Sequence, residues 1–169
     1  MTVETYKIAG WKQKEKGLLI AENEDWVLVK SIVGEFAIDG YKLYAKSFLT
    51  SRKTKKRDKL IARVLQLKKV KVALPDGFEF GNRVALLQWS EQQYGLFEFQ
   101  EESEEELFYG KINHIIGNYL TIDMITAKGE IEQAYEYQFP ISNIRAITFA
   151  SDYFNSIRLL MLDELGETV

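Results

Sequence analysis

The sequence predicts a mainly β protein with two similar β units, a helix that connects them and a helix near the C-terminal end. Apolar and polar residues alternate in several short segments bounded by turn residues, which is typical of half-buried strands. Two groups of these segments are similar to each other, and helical spacing is confined to a few stretches between and after them. A chain of 169 residues, 46% of them hydrophobic, is long enough to bury a core.

The clearest β signal lies in Leu107–Phe149, where the pattern predicts a meander of four strands. Gly117-Asn118 and Lys128-Gly129 supply turns, because Gly and Asn tolerate the positive φ that tight turns need. Alternation assigns two sets of side chains to buried faces: Leu120, Ile122 and Met124 in one strand, and Tyr135, Tyr137 and Phe139 in another.

The N-terminal half carries a second β pattern. Gly17–Ala21 and Trp26–Val33 are predicted to pair across a polar turn, and Asp39-Gly40 is predicted to form a hairpin turn. The first sixteen residues offer three strand anchors, Tyr6, Ile8 and Trp11.

Four segments concern the helices and the domain boundary. Residues 58–72 fit either a helix that Asp58 caps or, in their later part, a strand, and the pattern leaves both open. The turn Pro75-Asp76-Gly77 is the predicted boundary between an N-terminal unit, 1–75, and a C-terminal unit, 76–169. Asn82–Tyr94 is predicted to be a helix that Gly95 ends. A final helix is predicted behind an Asp152 cap, with these inward residues: Phe154, Ile157, Met161 and Leu165.

An internal repeat is predicted from the alignment of Gly17 with Gly110. This alignment matches four further pairs: Trp26 with Tyr119, Val27 with Leu120, Val29 with Ile122, and Ile32 with Ile125. Phe48-Leu49 would correspond to Ile144 if the second copy held about three extra residues. The alternative is that any two antiparallel segments share such a pattern.

Two segments resemble the Sm-like proteins, whose fold is a five-stranded SH3-like barrel. Gly110-Lys111-Ile112 is similar to the Gly-x-Leu of the first Sm motif, and Ile141–Ala146 is similar to the closing strand of the second. The resemblance covers about 80–149, with a fainter match over about 5–57, and the chain also looks like bacterial tandem-barrel proteins. It implies two tandem Sm-like barrels. The Asp and Asn with which such proteins bind uridine-rich RNA are not both present, because residues 115–118 supply Asn118 alone.

Charge is divided unevenly along the chain. Residues 1–79 contain 17 Lys and Arg against 10 Asp and Glu, whereas residues 80–169 contain 5 against 15, although the net charge is only −3. Such a charge asymmetry is informative about binding partners or about packing between the two halves, and not about the fold.

The candidate binding site is the basic run that begins in Ser51–Arg57. Six residues form the candidate patch for an anion, a nucleic acid or a docking partner: Arg52, Lys53, Lys55, Lys56, Arg57 and Lys59. Three aromatic residues precede it and are candidate neighbours: Tyr41, Tyr44 and Phe48. Three interpretations stay open: a solvated surface, docking against the acidic half within or between chains, and nucleic-acid binding.

No pattern of catalytic, metal-binding or cofactor-binding residues stands out. His114 is the only histidine and is predicted to be a half-buried sheet residue, and Glu101–Glu106 is predicted to be a solvated acidic loop. We therefore expect a non-enzymatic binding or regulatory module for a protein partner, with an Sm-like RNA-binding module that uses 52–71 as the alternative. The chain has no cysteine, no signal-peptide pattern and no apolar run of ~20 residues, so we expect a cytoplasmic protein without membrane contact.

Overall fold

The computed structural model describes residues 1–167, which form eleven strands and three α-helices. The strands are β1 (Val3–Ile8), β2 (Glu15–Glu22), β3 (Trp26–Val33), β4 (Ala37–Ala45), β5 (Leu49–Lys53), β6 (Phe97–Gln100), β7 (Phe108–Ile116), β8 (Tyr119–Ile125), β9 (Ile131–Glu132), β10 (Phe139–Pro140) and β11 (Ala146–Phe149). The helices are α1 (Lys56–Leu67), α2 (Arg83–Tyr94) and α3 (Asp152–Glu164). The predicted mainly β class is confirmed. None of the helices within residues 1–167 is both long and apolar enough to cross a membrane.

All eleven strands belong to one antiparallel sheet that runs through both halves of the chain. The strand order is β10-β8-β7-β6-β11-β4-β3-β2-β1-β5, and β9 pairs with β8 off this path. The halves meet where β11 pairs with β4, with Ala146 opposite Tyr44 and Phe149 opposite Tyr41. Strands β10 and β5 lie at the two ends of this order, so each has one neighbour in the sheet.

When the two-residue strand β9 is left out of the count, each half contributes its strands in the same relative order: fourth, third, second, first and fifth. The register also repeats. Leu19 lies opposite Val29 and, 93 residues later, Ile112 lies opposite Ile122; all five cross-strand pairs of β2 with β3 recur in β7 with β8 at this spacing. The ladder shifts register at the same place in both hairpins, between Leu19 and Ala21 and between Ile112 and His114.

The closing part of each half also repeats, at a spacing of 95 residues. A 3-10 turn, Lys46–Phe48, precedes β5, and another, Ile141–Asn143, precedes β11. In the N-terminal half, Arg52 of β5 lies opposite Tyr6 of β1. In the C-terminal half, Ile147 of β11 lies opposite Phe99 of β6, which is equivalent to Tyr6. The second half therefore contains two extra residues before its fifth strand, where the sequence alignment suggested about three.

The largest buried cluster takes side chains from both halves. It includes Trp26, Leu28 and Leu43 from the N-terminal half and Phe97 and Ile122 from the C-terminal half. A smaller cluster packs Ile61 and Leu65 of α1 onto the face of β1, β2 and β3. Because the largest cluster contains side chains from both halves, burial of its apolar surface stabilises the contact between them.

The N-terminal strands contradict one predicted turn. Asp39 and Gly40 lie within β4, and the chain reverses earlier, at Gly34–Phe36. Gly40 has φ +69°, and a Cβ there would lie 2.7 Å from Cα of Ser151. This glycine therefore lets the start of α3 approach the strand, where Asp39 accepts a hydrogen bond from the Asp152 backbone N–H at 2.8 Å.

The predicted strand around Tyr135 is confirmed only at its end. Residues 133–138 have no strand structure, and β10 consists of Phe139 and Pro140 alone. Phe139 is fully buried, but Tyr137 is 50% exposed, so the prediction that Tyr137 faces the core is wrong. Alternation holds only where a ladder fixes the backbone, and Pro140 shortens this ladder because it has no N–H to donate. Leu120 and Ile122 are fully buried, as predicted.

The helices resolve the ambiguous segments. Residues 58–72 form α1 and then a loop without strand, and Asp58 is not the N-cap but the third helical residue, which accepts from the Lys55 N–H. Gly95 ends α2, as predicted, and Asn82, the first residue of the predicted helix, is its N-cap. Ser151, rather than Asp152, caps α3. The inward residues of α3 are Phe154, Ile157, Met161 and Leu162, whereas Leu165 is 43% exposed.

Candidate functional site

The two arginines of the candidate patch are already paired within the chain. Arg52 donates to Glu4 at 2.7 Å and to Glu22 at 2.6 Å, and the bonds that Glu22 accepts from Arg52 and Lys46 lower the pKa of Glu22 to about 2. Arg57 is bound to Glu35. These arginines contribute to the basic character of the sequence but offer little free charge to a ligand.

Lys53 and Lys55 lie beside two lysines that the sequence analysis did not select. Together with Lys7 of β1 and Lys14 of the following loop, they line a shallow cavity of about 60 Å³ that also contains Thr5 and Ser51. We name Lys7, Lys14, Lys53 and Lys55 the basic surface. All four are exposed, and none forms an ion pair with another residue of the described chain. The neighbouring Lys14 lowers the pKa of Lys55, which indicates uncompensated positive charge.

The remaining candidates lie on α1, away from the basic surface. Lys59 lines a separate cavity of about 260 Å³ with Arg63 and the buried Asp58. Lys56 borders an open apolar depression formed with Arg57 and Leu60. The structure therefore divides five of the six predicted residues among three surfaces, since a helix begins in the middle of the basic run, and Arg52 lies apart in its ion pairs with Glu4 and Glu22.

The three aromatic candidates do not lie beside the basic surface as free rings. Tyr44 is fully buried in a core cluster, and Tyr41 stacks on Phe149 with ring centroids 5.2 Å apart. The guanidinium of Arg145 lies 4.2 Å from the ring centroid of Phe48. These rings pack against other side chains of the protein, so the structure does not support the prediction that they extend the patch.

A second candidate site lies near β10, at the opposite end of the strand order. Six residues line a cavity of about 270 Å³: Glu101, Glu102, Glu106, Phe108, Tyr135 and Tyr137. We name it the acidic–aromatic cavity. The sequence analysis treated Glu101–Glu106 as a solvated loop, yet Glu101 is only 5% exposed. The sequence analysis could not predict that the loop and the tyrosines lie side by side, because they are about thirty residues apart in the chain.

The electrostatics of this cavity favour a cation. Burial raises the pKa of Glu101, and the negative charge of Glu101, followed by burial and the charges of Glu102 and Glu106, raises the pKa of Tyr137. A hydrogen bond from Asn143 at 2.5 Å lowers the pKa of Glu102. Carboxylates beside exposed aromatic rings suit an ammonium or guanidinium group, which gains from both.

The other titratable groups have structural roles. Glu98 is buried and accepts a hydrogen bond from the Tyr109 hydroxyl, and burial raises its pKa. His114 is exposed rather than half-buried, because residues 113–119, the tip of the β7–β8 hairpin, are exposed on both faces. Within residues 1–167, no group of three His, Cys, Asp or Glu side chains is placed to hold a metal ion.

The junction of β11 with β4 displays how two parts of this chain bind each other. Besides the strand pairing, Arg145 Nε donates to the Ala9 carbonyl at 2.9 Å, and Trp11 Nε1 donates to the Glu101 carbonyl at 2.8 Å. The Lys12 backbone N–H donates to the Glu104 carboxylate at 2.8 Å. The two halves are thus held together both by the paired strand edges and by hydrogen bonds between the loops beside them.

Comparison of the chain with protein-family models, curated proteins and solved structures found no match.

Proposed function

We propose that this chain is a non-enzymatic binding module of two tandem Sm-like barrel units, 1–75 and 76–169, which binds protein partners through the open edges of its sheet. The repeated strand order and the registers repeated at 93 and 95 residues support the tandem units. The Gly-x-Leu-like segment at Gly110 lies on the second strand of its unit, as the resemblance implies. We also propose the cytoplasm as its compartment, since the chain has no cysteine and so could form no disulfide in an oxidising compartment.

The single observation that carries this proposal is the pairing of β11 with β4. There a fifth strand fills the edge of a fourth strand from the other unit, so the chain contains its own example of strand addition. Strand addition derives affinity from backbone hydrogen bonds and specificity from the side chains that alternate along the strand. The same kinds of edge lie open at β5 and β10.

The basic surface defines the ligand class for the β5 edge. The four lysines, which form no ion pair within residues 1–167, repel one another, and an acidic protein segment relieves this repulsion when it binds. An extended segment would pair with β5 while its carboxylates reach Lys53 and Lys55.

Nucleic-acid binding is the second candidate function, and the same four lysines favour it. Phosphates would take the place of the carboxylates, with counterion release as the driving force. Two observations weigh against it as the first choice: Arg52 and Arg57 are paired internally, and the neighbouring aromatic rings are packed and offer no base-stacking surface.

Fluorescence anisotropy with two labelled ligands separates these functions. The ligands are an extended ten-residue polyglutamate peptide and a single-stranded ten-nucleotide oligouridylate. We expect the peptide to bind at low salt and the K53Q/K55Q variant to bind it at least about fivefold more weakly. The K12Q/K128Q variant, which has the same charge change outside the basic surface, is the matched control and binds like the parent protein.

The outcome is read from the two ligands. Tight RNA binding, with a log–log salt slope that the K53Q/K55Q variant flattens by about 1.4, would favour the second function. Failure of both ligands to bind at low salt would reject the basic surface as a binding site.

A further inference from the structure

We propose that the acidic–aromatic cavity binds a linear polyamine, an unbranched aliphatic chain that carries two or three ammonium groups. The cavity is lined by none of the residues of the basic surface, so this site goes beyond the proposed function. Four features of the cavity favour such a ligand: its aromatic wall, a buried carboxylate with a free oxygen, the spread of its charges and its size.

Three aromatic rings line the cavity, and one buried ring packs against all of them. The Phe139 ring is fully buried, and its centroid lies 4.8 Å from those of Phe108 and Tyr137. It lies 6.3 Å from that of Tyr135, whose backbone N–H donates to the Ile122 carbonyl at 2.9 Å. Rings fixed in this way offer apolar surface to methylene groups and attract an adjacent ammonium through a cation–π contact.

Glu101 supplies a carboxylate that is almost removed from water and still has a free oxygen. The residue is 5% exposed, and its Oε2 accepts a hydrogen bond from Asn143 at 3.0 Å. Within residues 1–167, its Oε1 accepts no hydrogen bond and its carboxylate forms no ion pair, although Glu101 lines the cavity. A buried charge is costly without a partner, so an ammonium group that donates to Oε1 removes that cost.

The hydrogen bonds of Asn143 favour an ammonium over a guanidinium. Asn143 donates to Oε2 of Glu101 and also to Glu102, at 2.5 Å. Its own Oδ1 accepts from Arg145 at 2.7 Å, which fixes the orientation of the amide, and Arg145 does not line the cavity. A guanidinium binds a carboxylate best through both oxygens, and at Glu101 it would compete with Asn143 for one of them. An ammonium is a compact charge that needs only the free oxygen.

The charges of the cavity are spread out rather than gathered around one point. Glu101, Glu102 and Glu106 all line it, and the last two are exposed. Within residues 1–167, however, no three acidic side chains are placed to hold a single metal ion. A divalent metal ion needs several oxygen ligands that converge on it. A chain with separated ammonium groups can instead pair with these carboxylates one at a time.

The size of the cavity also suits a narrow ligand. Its volume is about 270 Å³, below the range of roughly 300–1,000 Å³ that is typical of sites for drug-sized molecules. In such a space the methylene groups of a polyamine can pack against Phe108 and Tyr135. One ammonium group then reaches Glu101, and the others reach Glu102 and Glu106.

Isothermal titration calorimetry of the full chain at low salt tests this site with probes of graded charge. The probes are n-butylammonium, putrescine, spermidine and Mg²⁺. We expect spermidine to bind at least about tenfold more tightly than n-butylammonium, with putrescine between them, because each added ammonium pairs with a further carboxylate. Putrescine should bind at least about fivefold more tightly than Mg²⁺, which has the same charge but needs converging ligands.

A charge variant locates the binding. The E102Q/E106Q variant removes two exposed carboxylates of the cavity and keeps Glu101. It should weaken spermidine binding at least about tenfold and n-butylammonium binding less than about threefold, because a single ammonium pairs with Glu101 alone. The E79Q/E132Q variant is the matched control, since it removes two exposed carboxylates that do not line the cavity, and it should bind every probe like the parent.

Ring variants test the aromatic wall. Tyr137→Ala should weaken the binding of all three amines at least about threefold, whereas Tyr137→Phe, which keeps the ring, should bind them like the parent. Tyr153→Ala is the control, because Tyr153 is 50% exposed, like Tyr137, and does not line the cavity. Thermal melts verify that every variant is folded.

The proposal is overturned if spermidine binds no more tightly than n-butylammonium or Mg²⁺, if E102Q/E106Q binds spermidine like the parent, or if E79Q/E132Q weakens binding equally. Acetyl-trilysine amide carries the same three ammonium charges on a peptide, and tighter binding of this probe than of spermidine would assign the cavity to a basic protein segment instead. The K53Q/K55Q variant keeps the cavity and should bind spermidine no more weakly than the parent, so failure of the polyglutamate test leaves this site standing.

Discussion

At the scale of single residues, the structure compensates buried charge by direct pairing. Asp58 has no exposed surface, and it accepts hydrogen bonds from Lys16 Nζ at 2.5 Å, from the Lys55 N–H at 2.8 Å and from the Thr5 hydroxyl at 2.9 Å. These bonds tie the start of α1 to β1 and β2. A buried carboxylate is stable only with such partners, because its desolvation is costly.

The Asp58→Asn variant should lose about 2–4 kcal/mol of stability at pH 7. Burial alone would raise the pKa of Asp58, but the bonds from Lys16, Lys55 and Thr5 outweigh it and hold this pKa below the ordinary value of 3.8. A lowered pKa stabilises the fold above pH ~4, and the contribution is lost as the pH falls further. Urea denaturation of parent and variant from pH 7 to pH 2 should therefore show their difference shrinking.

The control for this prediction is Asp163→Asn, which removes an exposed carboxylate from α3 and should change stability by less than about 0.5 kcal/mol. A difference between parent and Asp58→Asn that stayed constant down to pH 2 would mean that the Asp58 charge contributes nothing to folding.

Residue burial was predictable from the sequence wherever a ladder holds the chain. Alternation identified Leu120 and Ile122 as core residues because β8 pairs along its whole length. It failed at Tyr137, where no ladder exists, and at His114, which lies in the exposed tip of the β7–β8 hairpin. Alternation carries no information about bulges or about the ends of pairing.

At the scale of elements, the two long hairpins have the same design. Gly17 faces Val29 so closely that a Cβ would lie 2.6 Å from the Val29 Cβ. The equivalent Gly110 faces Ile122, and a Cβ there would lie 2.7 Å from the Asp123 carbonyl oxygen and 3.1 Å from Ile122 Cδ1. Each glycine thus allows a close approach of the two strands of its hairpin.

We expect Gly17→Ala and Gly110→Ala to destabilise the protein by similar amounts, about 1–3 kcal/mol each, because the added methyl overpacks equivalent sites. Chemical denaturation measures both. Gly34→Asn is the control: Gly34 has open space around it and φ +60°, a conformation that Asn tolerates, so the change should be within about 0.5 kcal/mol. A loss at one hairpin without a loss at the other would argue against their equivalence.

The order of elements was largely predictable from the sequence, but their ends were not. The pattern identified the β2–β3 and β7–β8 hairpins, α2 with its end at Gly95, and the alignment of Gly17 with Gly110. It misplaced the turn at Asp39-Gly40, because Gly40 serves the approach of α3, which comes more than one hundred residues later. A glycine that is needed for a long-range contact has the same local sequence as one that forms a turn.

At the scale of the whole molecule, one sheet and one large core connect two halves of opposite charge. The sequence predicted the charge asymmetry, but not that the basic surface and the acidic–aromatic cavity would lie near opposite ends of the strand order. That arrangement depends on the pairing of β11 with β4, which joins residues about one hundred positions apart. Neither local spacing nor composition encodes such a pairing.

This continuity predicts how the chain behaves when it is cut between its halves. Lys68, Lys69 and Lys71 are exposed, and residues 70–76 carry no helix or strand, so trypsin should cleave there first. The two fragments should stay together and elute as one particle, because the β11–β4 ladder and the shared core do not depend on the cut peptide bond. Size-exclusion chromatography and urea unfolding of the nicked protein, with the uncut protein as control, measure this.

Cleavage should lower the urea concentration at the unfolding midpoint and still leave a single unfolding transition. The intact connection between the halves stabilises the folded protein only by reducing the entropy of the unfolded chain, and cleavage removes that contribution. Fragments that separate in native buffer, or two distinct transitions, would mean that 1–75 and 76–169 fold as independent domains and that the junction contributes little to stability.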